Sequence, residues 1–371
     1  MIRILFLIHD LGGGGAERVL ANLVNNLDPE KYDVTLMSLF GGGVNEKLIC
    51  GRVKYKSVFK KTFPGNSYVM RLFSPKTLHK LFIKEKYDFE VSFLEGPSAR
   101  IISGCPDNDV KLVSWFHTCF HDEKKLAEGF NGIKEAEKCF HRFDRLVCVS
   151  GTVMSAVKKF IPSLDRLSVI YNVNDSETII VKSKEQITQG VLADSGVNIV
   201  SVGRLIPEKG YERLAKVHKK LRDEGFDIQT YILGEGPMRG SIGQYCEKNG
   251  ISDSFKLLGY VDNPYKYVSR CDLFVCSSHT EGFSTAVTEA LILGVPVVTT
   301  DVSGMREMLS DGEYGIITKD DDGALYEGVK KMLSSPETLD NYRQKAKERG
   351  KCFSKEKCLA DVNALFDGLV N

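Results

Sequence analysis

Glu281 and Glu289, eight residues apart in the run Glu-Gly-Phe-Ser-Thr-Ala-Val-Thr-Glu, have the type and spacing best suited to chemistry in this chain. At 3.6 residues per turn, eight residues advance about 800°, roughly 80° beyond two turns. If both acids were helical they would share a broad face, about 12 Å apart along the axis. That span suits a ligand with a reactive group at one end and a polar handle further along. Gly282 permits a tight entry turn, and Ser284 and Thr285 are capping types beside free N–H groups that favour an anion. An ordinary amphipathic helix with two solvated acids has the same pattern, because carboxylates are common in first turns.

Other loops carry compatible chemistry. Val200 to Gly210 presents Gly203, Arg204 and Lys209, a planar fork and a point charge suited to a diphosphate. Leu233-Gly234-Glu235-Gly236-Pro237 and Leu258-Gly259-Tyr260-Val261 follow, the second offering a surface for a stacked ring, and Ser303-Gly304 comes after them. Near the start, Gly12 to Gly15 precede a helix, so backbone N–H groups there can approach a phosphate. The spacing is neither a dinucleotide fingerprint nor a P-loop. His117 and His121 are four apart, but no third ligand accompanies them, and no metal is expected.

The elements that must position these residues are α/β. Apolar runs at Ile2–Ile8, Val34–Leu39, Phe89–Leu94, Lys111–Phe116, Arg145–Val149 and Val169–Tyr171 read as buried parallel strands. Helical segments such as Glu17–Leu27 and Lys134–Phe140 alternate with them. Asn174–Asn198 reads as a polar connector. The pattern then restarts with strands at Ile199–Val202, Gln229–Leu233, Lys256–Leu258, Leu273–Cys276 and Pro296–Thr299. Leu339 to Leu369 reads as one amphipathic helical stretch. The expectation is two doubly wound Rossmann-like domains facing across a cleft, residues 1–173 and 174–349, with a helix at about 350–371 packing back on the first. Ligands of such sheets bind outside the carboxyl ends of the strands, where the polar loops fall.

Composition agrees with a soluble globular chain. Of 371 residues, 42% are hydrophobic and 27% charged, with a net charge of +1. No overall field draws it to nucleic acid. Its ten cysteines form no Cys-x-x-Cys pair and read as reduced core residues of a cytoplasmic protein. No run approaches the length of a membrane span.

The ordered motifs resemble the retaining, nucleotide-sugar-dependent glycosyltransferases of the GT-B fold, family 4, the type found in bacterial capsule, exopolysaccharide and lipopolysaccharide synthesis. The resemblance covers nearly the whole chain. It rests on Gly-Gly-Ala-Glu-Arg at 14–18, Val-Gly-Arg-Leu…Glu-Lys-Gly at 202–210, Gly-Glu-Gly-Pro at 234–237 and Leu-Gly-Tyr-Val at 258–261. Glu-x7-Glu with Glu-Ala-Leu-x-x-Gly-Val-Pro-Val-Val at 289–298, and Ser-Gly-Met-Arg-Glu at 303–307, complete it. The segment Ser284-Thr285-Ala286 departs from the bulkier, proline-containing sequence of many relatives.

The resemblance implies roles. Arg204 and Lys209 would bind the donor diphosphate and stabilise the leaving group, with the backbone at Gly203 beside them. Gly14 and Gly15 would approach the same diphosphate from the other domain. Glu289 would accept the ribose hydroxyls, Glu281 would lie near the donor sugar, and amides at Gly282, Phe283, Ser284 and Thr285 would contact sugar or phosphate. Glu235, Tyr260 and Val261 belong to the donor side, the last two bordering the base. His117 would sit over the sugar, bonding a hydroxyl or backing the developing positive charge. The implied reaction is metal-independent transfer of a hexose-type sugar with retention, forming an α-linkage. Its nucleotide sugar is a co-substrate, a UDP-sugar by default with GDP and ADP left open. The acceptor is a saccharide or lipid-linked saccharide, and no cofactor is needed. The competing readings are a catalytically inactive nucleotide-sugar-binding protein of the same fold, a nucleotide-sugar epimerase, and a nicotinamide-dependent enzyme.

Residues 52–86 contain ten basic residues against one acid, interleaved with Tyr55, Phe59, Phe63, Tyr68, Phe73 and Phe82. Lys60, Lys61, Lys80 and Lys84 are the expected contacts with an anionic membrane surface or a lipid-diphosphate acceptor. The expected location is cytoplasmic and peripheral on the inner face of the cell membrane. A charged surface over core aromatics is the plainer alternative, and no nucleic-acid partner is expected.

Overall fold

A computed structural model describes residues 1–63, 65–187 and 192–370. The chain divides into two compact units, Met1–Asn174 with Glu356–Asn371, and Asp175–Lys355. Each is built on a parallel sheet flanked by helices.

The first sheet has seven strands: β1 (Ile2–Ile8), β2 (Tyr32–Phe40), β3 (Lys54–Phe59), β4 (Phe89–Ser92), β5 (Lys111–Phe116), β6 (Arg145–Cys148) and β7 (Leu167–Val169). Their order is β3-β2-β1-β4-β5-β6-β7, with every pairing parallel. Strand order reverses between β1 and β4. Ile4 to Ile8 are fully buried, as a central strand covered on both faces requires.

The second sheet has six: β8 (Val197–Val202), β9 (Ile228–Leu233), β10 (Phe255–Gly259), β11 (Leu273–Cys276), β12 (Val297–Thr300) and β13 (Ile316–Thr318). Their order is β10-β9-β8-β11-β12-β13, again parallel, with the reversal between β8 and β11. Helix Tyr211–Asp223 buries Leu214, Ala215, Val217, His218 and Leu221, a helical periodicity that makes one face part of the core. His218 is held there between Thr230 and Ser254, each 2.8 Å from a ring nitrogen, and burial lowers its pKa to about 4.

The structure corrects several sequence expectations. Two edge strands, β3 and β13, are absent from the sequence reading. β3 reads Lys-Tyr-Lys-Ser-Val-Phe with no fully buried residue, and β13 is three residues long, so neither gives a buried apolar run. The stretch Asn174–Asn198 holds the helix Ser176–Ser183 and the start of β8, while its residues 188–191 lie outside the described residues. Leu339 to Leu369 is interrupted: helix Pro336–Gly350 ends in a 3-10 turn at Lys351–Phe353, Ser354 is extended, and a new helix runs Lys355–Val370.

That last helix completes the core of the first unit. Phe366 is fully buried, with its ring centroid 5.0 Å from Phe89, 5.9 Å from Tyr32, 6.4 Å from Phe6 and 6.5 Å from Trp115. One side chain thus touches residues of β1, β2, β4 and β5. Phe366→Ala is expected to destabilise the protein by about 3–5 kcal/mol, whereas Val370→Ala, at an exposed position, should change stability by less than about 0.5 kcal/mol. Urea denaturation of the two variants would measure both, and equal midpoints would show that the aromatic cluster does not depend on this helix.

Candidate functional site

In the second unit the reversal of strand order brings together the loops after β8 and β11. Lys209 Nζ lies 2.7 Å from Glu281 Oε1, and the Ser278 hydroxyl donates to the same oxygen at 2.6 Å. The Glu281 side chain is 10% exposed and that of Lys209 24%. No hydrogen bond to the other carboxylate oxygen, Oε2, is made among the described residues.

Backbone contacts lock the two loops. Ser277 Oγ donates to the Lys209 carbonyl at 2.9 Å, and the His279 N–H donates to the Glu208 carbonyl at 2.7 Å. Gly210 has φ +63°, and a Cβ there would stand 2.1 Å from the Ser277 carbonyl oxygen. Behind the loop, the His279 ring meets Asp320 at 3.3 Å and Arg213 at 3.2 Å. Arg213 is itself buried and paired with Asp320 and Asp322.

Arg204, next to this pair in sequence, is exposed, and its guanidinium is engaged by no hydrogen bond or ion pair among the described residues. Gly203 donates its N–H to Leu233 O at 3.0 Å, joining the β8 and β9 ends. Gly234 follows with φ +150°, and a Cβ there would lie 2.0 Å from the Gly203 carbonyl oxygen. The Glu235 carboxylate is half exposed and paired with Arg239 at 3.0 Å, so its backbone, which accepts from Leu205, is the better-placed part. Tyr260 is 69% exposed at the end of β10, with Val261 partly exposed beside it.

The helix containing Glu289 begins at Thr285, so Glu281 lies in the preceding loop. The conditional estimate of a shared face, which required both acids to be helical, therefore does not apply. Ser284 occupies the N-cap position without a side-chain hydrogen bond, contrary to the capping expectation. Phe283 and Ser284 are each 7% exposed, so neither presents a large side-chain surface. The Phe283 ring packs edge-on against Phe353 at 6.0 Å. Gly282 accepts from Ser303 Oγ at 3.2 Å. Glu289 Oε1 accepts from the Tyr265 hydroxyl at 3.1 Å, a partner that sequence reasoning missed. Ser278 was missed too, although its place three residues before Glu281 at a strand end was a usable signal.

Two neighbours stay protonated. Burial, reinforced by the Glu281 charge, raises the Cys276 thiol, and burial raises the Tyr211 phenol. Neither supplies a nucleophile at neutral pH.

The first unit has its own cluster at the carboxyl edge of its sheet. After β1, Asp10 accepts from the Gly12 N–H and from His9, each at 2.7 Å; the His9 bond is the main cause holding its carboxyl below the usual range. Asn45 donates to the Gly12 carbonyl. The helix Gly15–Asn26 starts from Gly14 with no side-chain cap, and the Glu17 carboxylate lies close over Gly14. An acid at this helix start opposes a second anion there, a feature the glycine run alone did not reveal.

His117 follows β5. Its N–H donates to Glu95 Oε2 at 3.0 Å, and its ring lies 4.7 Å from that of Phe93. Its Nε2 is buried and has no hydrogen-bond partner among the described residues. Burial lowers the His117 pKa to about 3, so the ring is neutral at physiological pH. Glu95, which sequence reasoning missed, is raised by the same burial. Its signal was Leu94-Glu95-Gly96 at the end of β4, but its link to His117 depends on β4 pairing with β5.

Two family models match the chain: "Glycosyltransferase Family 4" over residues 13–178 and "Glycosyl transferases group 1" over residues 183–349. The chain belongs to the group 1, family 4 glycosyltransferases and is a glycosyltransferase of GT-B type. A relative from Campylobacter jejuni, N-acetylgalactosamine-N,N'-diacetylbacillosaminyl-diphospho-undecaprenol 4-alpha-N-acetylgalactosaminyltransferase, is 29% identical over 96% of both chains. The fold is similar to that of Anabaena HepE in complex with UDP (TM-score 0.78, 17% identity, 99% of this chain and 100% of that one). It is also similar to sucrose-phosphate synthase from Thermosynechococcus elongatus (TM-score 0.79, 15% identity, 99% of each chain).

The neutral His117 has a consequence for acid stability. The unfolded chain takes up this proton below about pH 6.5, the folded protein only below about pH 3, so acid favours unfolding across that interval. Wild type is expected to lose stability relative to His117→Phe as pH falls from 6.5 towards 3. Parallel stability curves in denaturant titrations over this range would contradict the assignment.

Proposed function

We propose that this glycosyltransferase moves a hexose-type sugar from a UDP-sugar to a lipid-linked saccharide in surface polysaccharide synthesis, with retention and formation of an α-linkage. The observation that carries the reading is the Lys209–Glu281 pair, 2.7 Å apart at the strand-order reversal, with the exposed Arg204 guanidinium, unpaired among the described residues, in the same β8 loop. Ligands of open parallel sheets bind at such reversals. Arg204 and the remaining Lys209 hydrogens offer cationic donors to a diphosphate, taking the place of a metal as charge builds on the leaving group. Glu281 Oε2 accepts a sugar hydroxyl. Glu289 accepts the ribose hydroxyls beside Tyr265.

In the reaction, the bond from the anomeric carbon to the phosphate oxygen breaks and its electron pair stays with the diphosphate. The acceptor hydroxyl attacks from the same face, and its proton passes to the departing phosphate oxygen. The Campylobacter relative, named for α-transfer to a diphospho-undecaprenol-linked sugar, supports the acceptor class and the linkage. The UDP complex of HepE supports the base.

Surface chemistry supports a membrane location. Among the described residues no helix is long and apolar enough to cross a membrane. Tyr68, Val69, Leu72, Phe73 and Leu81 are exposed on or beside helices Asn66–Arg71 and Pro75–Phe82. Lys60, Lys61, Lys80 and Lys84 are exposed nearby in sequence. Other members of the basic segment are engaged within the unit: Lys54 pairs with Asp33 and Lys56 with Glu85. Phe59, Phe63 and Phe82 form an aromatic cluster that also includes Phe40. The proposed membrane face is therefore narrower than the whole 52–86 segment.

Thermal-shift screening against UDP-, GDP- and ADP-sugars, followed by donor hydrolysis, tests the donor assignment. A shift with a UDP-sugar is expected, reduced in Glu289→Ala, together with a loss of about 10²-fold in turnover for Arg204→Ala. A shift confined to GDP- or ADP-sugars would replace the base, and no effect of either substitution would remove the site. Flotation with anionic vesicles tests the membrane face. At about 1 kcal/mol for each basic residue near the surface, the Lys60/Lys61/Lys80/Lys84→Glu variant should stay in the soluble fraction. Flotation equal to that of wild type would rule out these lysines as the contact.

A further inference from the structure

A second group of chemically capable side chains lies in the first unit, towards the amino end of its sheet. His79 on helix Pro75–Phe82, Glu90 on β4 and Cys105 after helix Pro97–Ile102 are all buried, at 6%, 2% and 2% exposure. One ligand atom from each lies within 4.8 Å of the others, and His79 Nε2 is 2.7 Å from Glu90 Oε2. Among the described residues this is the one group of three such side chains gathered closely enough to hold an ion. Sequence spacings of eleven and fifteen residues match no metal motif, so only the fold reveals it.

We propose that His79, Glu90 and Cys105 form a three-ligand site for a divalent transition cation, zinc by ligand class. The donor set is one nitrogen, one oxygen and one sulfur, which suits zinc and not the oxygen cages of calcium or magnesium. Charge is the stronger argument. A dication with one carboxylate, one thiolate and a neutral imidazole sums to zero, a balance that burial favours. Tetrahedral zinc needs donor atoms about 3.3–3.8 Å apart. The imidazole and carboxylate must therefore separate by roughly half an ångström to one ångström from their hydrogen-bonded contact, and the Cys105 thiol must turn from the Asp107 carbonyl, to which it donates at 3.7 Å.

The surroundings provide support and access. Arg142 Nη2 donates to the Cys105 carbonyl at 2.6 Å, fixing the backbone that carries the thiol. Cys105 also lines a cavity of about 400 Å3, the side of the cluster nearest to solvent, while His79 and Glu90 do not line it. Lys76, Lys138 and Arg142 border the same cavity. Their charges oppose entry of a cation, while Glu135, also on its wall, is committed to Arg100 at 2.9 Å. The site joins helix Pro75–Phe82 to β4 and to the chain leading into β5. Its role would be to tie a surface helix to the sheet, separate from transfer chemistry.

Metal-stripped full-length protein should be titrated with Zn2+ against a chromophoric chelator, and with Co2+ while recording absorption. Uptake of one Zn2+ per chain at submicromolar affinity is expected, with a thiolate-to-cobalt charge-transfer band. Cys105→Ser should lose the band and weaken Zn2+ binding by at least 10-fold. Glu90→Gln, which retains shape and a hydrogen bond to His79, should weaken it similarly if the serine variant proves unstable. No Zn2+ uptake, no charge-transfer band in wild type, or unchanged uptake in the folded variants would each overturn the proposal. These readouts do not depend on the donor or acceptor, so the site and the transferase reading can fail separately.

Discussion

Burying Glu281 beside Lys209 is the interaction on which the donor-side loops of the second unit depend. A carboxylate with a tenth of its side chain exposed must recover its lost hydration from fixed partners. Those partners arrive on two chain segments, Lys209 after β8 and Ser278 after β11. Once they are joined, the backbone can cross at close range, which only glycine at position 210 permits. The loops then hold one another through Ser277 to Lys209 and His279 to Glu208. The pair uses only part of each group's capacity. Lys209 keeps further hydrogens and Glu281 keeps Oε2, so a rigid contact retains a donor and an acceptor outside the pair.

The first unit solves a different electrostatic problem at the corresponding edge of its own sheet. Its buried groups are kept uncharged or compensated locally. His117 is neutral through burial, and Glu95 is pushed towards its protonated form. Asp10 remains ionised because His9 and the Gly12 N–H face it. The concentrated positive charge of Arg204 and Lys209, by contrast, belongs to the second unit.

Much of this was legible in the sequence. Strands buried on both faces give continuous apolar runs, which is why β1, β5, β8 and β11 could be bounded closely. The edge strands β3 and β13 lack that signature. Arg204, Lys209 and Glu281 were readable because charged residues at the carboxyl ends of parallel strands have few structural reasons to be there. Their contacts were not readable, since 72 residues separate Lys209 from Glu281. The same limit hid Glu95, Tyr265 and the His79–Glu90–Cys105 group. Local pattern also misled where the chain switches state at Gly350–Ser354, because periodicity carries across a break that backbone geometry does not.

The position of Phe366 bears on how the chain is made. β1, β2, β4 and β5 leave the ribosome early, yet the aromatic side chain that fills the space among them belongs to residue 366. The second unit, contained in Asp175–Lys355, has all its strands before that residue is synthesised. During translation the middle of the chain can therefore mature while the amino-terminal sheet waits with an uncovered apolar face, the kind of surface that chaperones hold. Biogenesis, more than the finished protein, is where a truncated or slowly completed final helix would be felt.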